Sequence, residues 1–190
     1  MQLLPAIEQE TFPDPNYCVI WLHGLGADGN DFAPIVPYLK LPDELAVRFI
    51  FPHAPEMPVT VNGGMVMPAW YDIMEMEIDR RVDTEGLISS AALIEQFVNR
   101  ELERGLDEKN IIIAGFSQGG AVAYHLALTR PVRLGGLLAM SSYCPTCSMI
   151  HNHTPHTDLP IEIHHGLHDP VVPERLGREA KGFLEEHGYA

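Results

Sequence analysis

Short runs of bulky apolar residues alternate along the chain with longer stretches whose apolar positions recur every three or four residues. The first run, Tyr17–Leu22, stops at His23-Gly24 and reads as a buried strand feeding a glycine turn. Val47–Phe51 repeats the pattern ahead of Pro52. Ile111–Ala114 carries β-branched residues on three successive positions, as a strand covered on both faces does. Leu134–Met140 and Ile161–His165 complete the strand set. Between these runs, Leu87, Ala91, Ile94, Val98 and Leu102 form one stripe of an amphipathic helix that stops near Gly105. A second helix is predicted from Ser117 to about Thr129, ahead of Pro131. A third carries Leu176, Ala180, Phe183, Leu184 and His187 on one side, with Gly188 as its C-cap. Strands alternating with helices predict an α/β fold, a parallel sheet covered on both faces. The segment from Pro52 to Asp83, rich in Met, Pro and Gly, reads as an excursion over the sheet edge or a functional cleft. Its acidic end, Glu75–Asp83, reads as solvated surface.

The 190 residues, 46% apolar and 20% charged, fit one domain spanning residues 1–190 rather than a disordered or membrane-embedded chain. A chain of this length buries roughly 70% of its extended surface without staples. The net charge of −14 repels phosphates, which argues against nucleic acid or anionic lipid as partners. The N-terminus lacks a basic region followed by an apolar stretch, and no run approaches the roughly 20 apolar residues of a bilayer span, so stable membrane insertion is not expected. Three cysteines do not make a disulfide framework, which points to a reducing, cytoplasmic location.

Candidate chemistry begins at Gly115-Phe116-Ser117-Gln118-Gly119, which follows a strand run and opens a helix. A sharp strand-to-helix turn strains its central residue, so the positions two residues to either side must be small. The turn lifts a hydroxyl above the sheet, with a helix N-terminus behind it to favour developing negative charge. A glycine turn with a capping serine fits the same residues; the agreement of strand, glycines and helix favours Ser117 as a nucleophile. The loop His23-Gly24-Leu25-Gly26-Ala27-Asp28-Gly29 ends an earlier strand, where backbone N–H groups can point into a cleft. Acyl transfer needs two donors about 3 Å from the tetrahedral oxyanion. One is expected from Gln118, after the nucleophile, and the other from this loop. Taken alone, the loop is also a tight turn with His23 packed inside. Past another strand, Asp169 in His165-Gly166-Leu167-His168-Asp169-Pro170 suits the carboxylate that orients a catalytic imidazole. A turn aspartate is the competing reading, and its place after Ser117 in the chain favours the acid.

Five segments stand in the order of one known family: His23–Gly29, Pro58-Val-Thr-Val-Asn-Gly-Gly64, Ala69-Trp-Tyr-Asp72, Ala114-Gly-Phe-Ser-Gln-Gly-Gly120, and His165-Gly166 with Asp169-Pro-Val-Val-Pro173. Together they resemble the phospholipase/carboxylesterase family of small α/β-hydrolases, which includes the acyl-protein thioesterases. The resemblance implies a mostly parallel sheet with helices on both faces. It implies a compact hydrolase of carboxylic esters and thioesters with short to medium acyl chains, working through an acyl-enzyme on small substrates or acylated proteins. It further implies Ser117 as nucleophile, Asp169 as acid, and the Leu25 and Gln118 amides as oxyanion hole. Trp70, matching the family's aromatic motif near the active site, is implied in substrate binding, although a buried aromatic pair with Tyr71 fits equally. Neither a metal nor an organic cofactor is required.

Hydrolases of this type carry the triad histidine on a loop after one more strand beyond the acid. Here only His187 follows Asp169, and it lies on the apolar stripe of the third helix. The last strand, the histidine loop and the closing helix are therefore expected to be missing relative to the family. That would leave a sheet edge open to self-association, and a homodimer is one outcome. Without a base a serine hydroxyl is a poor nucleophile at neutral pH. Such a site keeps only the roughly 10³–10⁴-fold advantage over water of binding and the oxyanion hole. His164, His165 and His168 are the substitutes nearest in sequence. The alternative function is a catalytically silent hydrolase-fold module. Cys144-Pro-Thr-Cys147 with His151, His153 and His156 could suit a soft metal, but the spacing is loose and no second pair closes it, so a loop insertion is favoured. Cys18 reads as core packing.

Overall fold

The computed structural model describes residues 3–75, 82–152 and 156–189. Six strands form one sheet in the order β1 (Ala6–Glu10), β3 (Val47–Pro52), β2 (Tyr17–Leu22), β6 (Ile111–Phe116), β7 (Gly136–Met140) and β8 (Ile161–His164). β1 runs antiparallel to β3, and every other pair is parallel. The parallel strands are the apolar runs predicted above, with Leu134–Met140 shortened to begin at Gly136. β1 was not foreseen, nor was the small hairpin of β4 (Glu56–Val59) and β5 (Met65–Pro68) inside the Pro52–Asp83 excursion. The acidic stretch predicted as solvated surface lies largely outside the described residues.

Successive strand side chains point to opposite faces. Cys18, Ile20 and Leu22 of β2 therefore share one core with Ile50, Ile111, Ile113, Leu137 and Ala139, while Trp21, Val47, Phe49 and Phe51 join another. The first face receives all three α-helices of the described residues: α1 (Thr84–Glu103), α2 (Gln118–Thr129) and α3 (Glu174–Glu186). The second is covered by a short 3₁₀ helix, Ala33–Tyr38, together with Phe32, Leu39, Leu41 and Leu45. Helical cover is thus present on both faces but unequal.

Leu87, Ala91, Ile94 and Val98 bury the predicted stripe of α1, and Asp83 caps it by accepting from the Gly86 N–H at 2.9 Å. α2 is buried from Gln118 to Leu128, because it lies between the sheet and α1. α3 buries Leu176, Ala180 and Leu184, and Gly188 follows it with the positive φ of a C-terminal cap. β8 is the outermost strand, with Glu162 and His164 exposed on the second face. Since β2, β6, β7 and β8 are parallel, the loops leaving their C-terminal ends emerge along one rim of the sheet, where sites in open α/β sheets form.

Candidate active site

Ser117 joins β6 to α2 with φ 53° and ψ −118°, a left-handed conformation that side chains rarely adopt. Its own N–H donates to the Met140 carbonyl at 2.9 Å, and its carbonyl accepts from Gly120 N at 3.0 Å and from Ser142 Oγ at 2.7 Å. The turn is closed by absent side chains. A Cβ on Gly119 would stand 2.5 Å from the His23 carbonyl, and one on Gly115 would collide with the Gly119 backbone. The sequence expectation that these flanking positions must be small therefore has a direct steric cause.

The loop after β2 lies against this turn, since a Cβ on Gly24 would sit 3.5 Å from the Ser117 Cβ. Gly26 N donates to the Pro68 carbonyl at 2.9 Å, which ties the loop to β5 and places the excursion over the site. The Gln118 N–H belongs to the first turn of α2, whose donors have no intrahelical acceptor. Among the described residues neither it nor the Leu25 N–H has a hydrogen-bond acceptor. His23 is buried as the packed alternative has it. Its Nε2 accepts from Ala54 N at 3.1 Å, so the proton resides on Nδ1 and is donated to the Gly24 carbonyl at 2.8 Å. Burial lowers its pKa, against the opposing Gly24 hydrogen bond, and keeps the ring neutral.

The Gln118 side chain carries a role that sequence reasoning missed. Its Oε1 accepts from Trp70 N at 2.9 Å and its Nε2 donates to the Tyr71 carbonyl at 2.6 Å, so one buried amide grips two successive backbone groups. Trp70 itself is only 1% exposed. Its indole donates to the His23 carbonyl at 2.8 Å, and its own carbonyl accepts from Ser90 Oγ. Trp70 braces the His23–Gly29 loop from within the core, beside the buried Tyr71.

Asp169 sits in the turn after β8. Its Oδ1 accepts from the Val171 and Val172 N–H groups, both at 2.9 Å. Burial pushes its carboxyl up, but those amides, the Ser141 side chain and His165 together hold its pKa below the ordinary carboxylate value. It is a charged acceptor and a turn-former at once. His165 lies under α3 with Nε2 donating to the Val172 carbonyl at 2.8 Å and 3.9 Å from Asp169 Oδ2, so it supports this turn. His164 is exposed 3.9 Å from Glu162, and His168 is exposed. His187 closes α3, its ring stacked on Phe183 at 3.9 Å. Among the described residues no imidazole hydrogen-bonds Ser117.

The cysteine expectation needs correction. Cys144 and Cys147 are joined as a disulfide in the loop leaving β7, which backbone proximity across two intervening residues permits. A bonded pair offers no thiolate to a metal. Of the histidines weighed with it, His153 lies outside the described residues, and the His156 ring is 3.2 Å from the Arg130 carbonyl. Cys18 is buried in β2 as expected.

Residues 5–188 match the sequence profile of the phospholipase/carboxylesterase family. Acyl-protein thioesterase 1 of Saccharomyces cerevisiae is 40% identical over 174 residues, 88% of this chain and 77% of that protein. Acyl-protein thioesterase 1 of Neurospora crassa is 36% identical over 98% of this chain and 78% of its own length. The crystal structure of Arabidopsis thaliana SOBER1 superposes with a TM-score of 0.84 at 32% identity, covering 92% of this chain and 85% of that one. That of Zea mays acyl-protein thioesterase 2 gives 0.80 at 26% identity, covering 96% and 85%. The chain belongs to the phospholipase/carboxylesterase family, with the α/β-hydrolase fold and the ester and thioester hydrolase class that the family defines.

Proposed function

We propose that this chain cleaves acyl esters and thioesters through Ser117, and that the left-handed elbow at that residue is the observation carrying the reading. A serine held in this conformation between two glycines presents its hydroxyl away from the strand it ends. Attack on an acyl carbonyl, with the serine proton passing to water, gives a tetrahedral oxyanion, for which the Leu25 and Gln118 N–H groups are available donors on adjoining backbone segments. Collapse expels the alkoxide or thiolate, which takes a proton back from water, and leaves an acyl-serine that water then hydrolyses. Asp169, charged and fixed by two amides, is the acid that would orient an imidazolium. Trp70 and the Gln118 side chain act at one remove, by fixing the wall behind the oxyanion loop. The acyl-protein thioesterases among the relatives favour an acylated protein over a free lipid as the natural substrate.

A second reading, a site that binds acyl groups with little turnover, is favoured by the lack of an imidazole on Ser117 among the described residues. Hydrolysis of a short p-nitrophenyl ester separates the two. Turnover lost in Ser117→Ala supports the enzyme, and equal background rates in both forms support the silent module. Free imidazole added to the assay supplies a base, and acceleration beyond imidazole's own hydrolysis of the ester, measured without protein, is expected only where the serine is present. A cytoplasmic location is a separate proposal, tested by whether the Cys144–Cys147 disulfide persists under cytosolic reductants; among the described residues no helix is long and apolar enough to cross a membrane.

A further inference from the structure

The loop leaving β7 touches three parts of the candidate site within a few residues. Ser141 N donates to the His164 carbonyl at 2.7 Å, at the end of the strand that leads into the Asp169 turn. Ser142 Oγ donates to the Ser117 carbonyl at 2.7 Å. Tyr143 shares a 2.7 Å hydrogen bond with Tyr71, whose carbonyl is gripped by Gln118. Thr146 Oγ1 lies 3.1 Å from the His125 ring of α2. The Cys144–Cys147 disulfide closes this same loop, with Cys147 buried in the core and Cys144 only half-buried.

We propose that Cys144 and Cys147 form a reversible thiol–disulfide exchange site for low-molecular-weight thiols and disulfides, and that its state sets how firmly the loop holds the Ser117 elbow. Access decides which sulfur is attacked. An external thiolate reaches the Cys144 sulfur, forms a mixed disulfide with it and expels Cys147 as a thiolate. A second external thiolate attacks the outer sulfur of the mixed disulfide, releasing the external disulfide and the Cys144 thiolate, and both protein thiolates take up protons. Two external thiols are oxidised and one protein disulfide is reduced, by two electrons. Oxidation runs the same steps backwards.

The consequence is local. The cross-link spans a sequence separation of 3, and Cys147 N already donates to the Cys144 carbonyl at 3.3 Å, so opening it releases little chain entropy. Two unbonded sulfurs cannot remain at bonding distance. Cys147, Tyr143 and Ser142 are all buried, so the half-buried Cys144 is the residue that moves, and it pulls directly on Tyr143 and Ser142, which carry the contacts to Tyr71 and Ser117. Cys18 stays out of the exchange, being fully buried in β2.

The test equilibrates the full chain in buffers from reduced glutathione to its disulfide, counts thiols by maleimide mass shift, and follows backbone amide exchange. The expected result is reversible gain and loss of two thiols. In the reduced state, amide exchange at Gly120 and Ala121 should be about tenfold faster with a nearly unchanged melting temperature. A Cys144→Ser, Cys147→Ser double variant should exchange like the reduced protein in every buffer. A pair that stays bonded in reduced glutathione, a pair that stays open in the disulfide, or exchange at these amides that ignores the thiol count overturns the proposal. Any change in ester turnover rests on the reading of Ser117. Turnover absent in both states would count against that reading, while thiol count and amide exchange still decide this one.

Discussion

At the elbow, Ser117 is wedged between a central strand and a buried helix, and an added methyl on Gly119 would meet the His23 carbonyl at 2.5 Å. The Asp169 turn hangs instead from the outermost strand, beside Leu167 and Val171 at 72% and 69% exposure. An added methyl on its Gly166 would approach no closer than 4.0 Å to the Asp169 Cβ. One half of the site is over-determined by packing. The other is held by a few hydrogen bonds at the sheet margin. Reactive geometry that must be accurate within fractions of an ångström is thus enforced by the core at Ser117, whereas the Asp169 carboxylate is fixed by the hydrogen bonds of its own turn.

Substitutions at matched positions sharpen this contrast. Gly119→Ala is expected to be the most damaging, at about 3 kcal/mol, because the His23 and Leu22 carbonyls it would strike are backbone and cannot yield as a side-chain tip does. A denaturant midpoint close to wild type would break the comparison. Gln118→Ala comes next, at about 2 kcal/mol, since it orphans the Trp70 N–H and the Tyr71 carbonyl inside the core.

Asp169→Asn should cost about 1 kcal/mol at neutral pH, as the two amide bonds lose a charged acceptor. The folded-state pKa of Asp169 is depressed, so its contribution is present above the ordinary carboxylate value of 3.8 and lost as pH falls below it. Wild type and variant should therefore converge in acid, and urea titrations across that range check it. Gly166→Ala should be the mildest, within about 0.5 kcal/mol, since open space receives the methyl.

The parallel strands are legible in the sequence because strands buried on both faces are written as unbroken apolar runs. β1 is not, since its Ala-Ile-Glu-Gln-Glu pattern is that of a polar edge. Its glutamates are explained by tertiary partners: Glu8 pairs with Arg100 at 2.6 Å and Glu10 with Arg48 at 2.9 Å. The β4–β5 hairpin is masked by Pro58 and Pro68, which break the strand signature. Ser117, Gly119 and Asp169 are legible because their local chain dictates their conformation. The grip of Gln118 on Trp70 and Tyr71, and that of Ser142 on Ser117, are long-range contacts that no local pattern encodes. Trp70 shows the converse: its sequence motif marks proximity to the site but not which way the indole faces. For Cys144 and Cys147, spacing alone leaves metal, free thiol and disulfide undivided, and the loop path resolves them.

The measurement bearing most directly on the elbow is the mass of the protein after incubation with a short p-nitrophenyl ester. One added acyl group, mapped by peptide sequencing to Ser117 and absent from Ser117→Ala, is the predicted result. An unmodified chain that also fails to turn the ester over, or an acyl group carried on a different residue, would contradict the account.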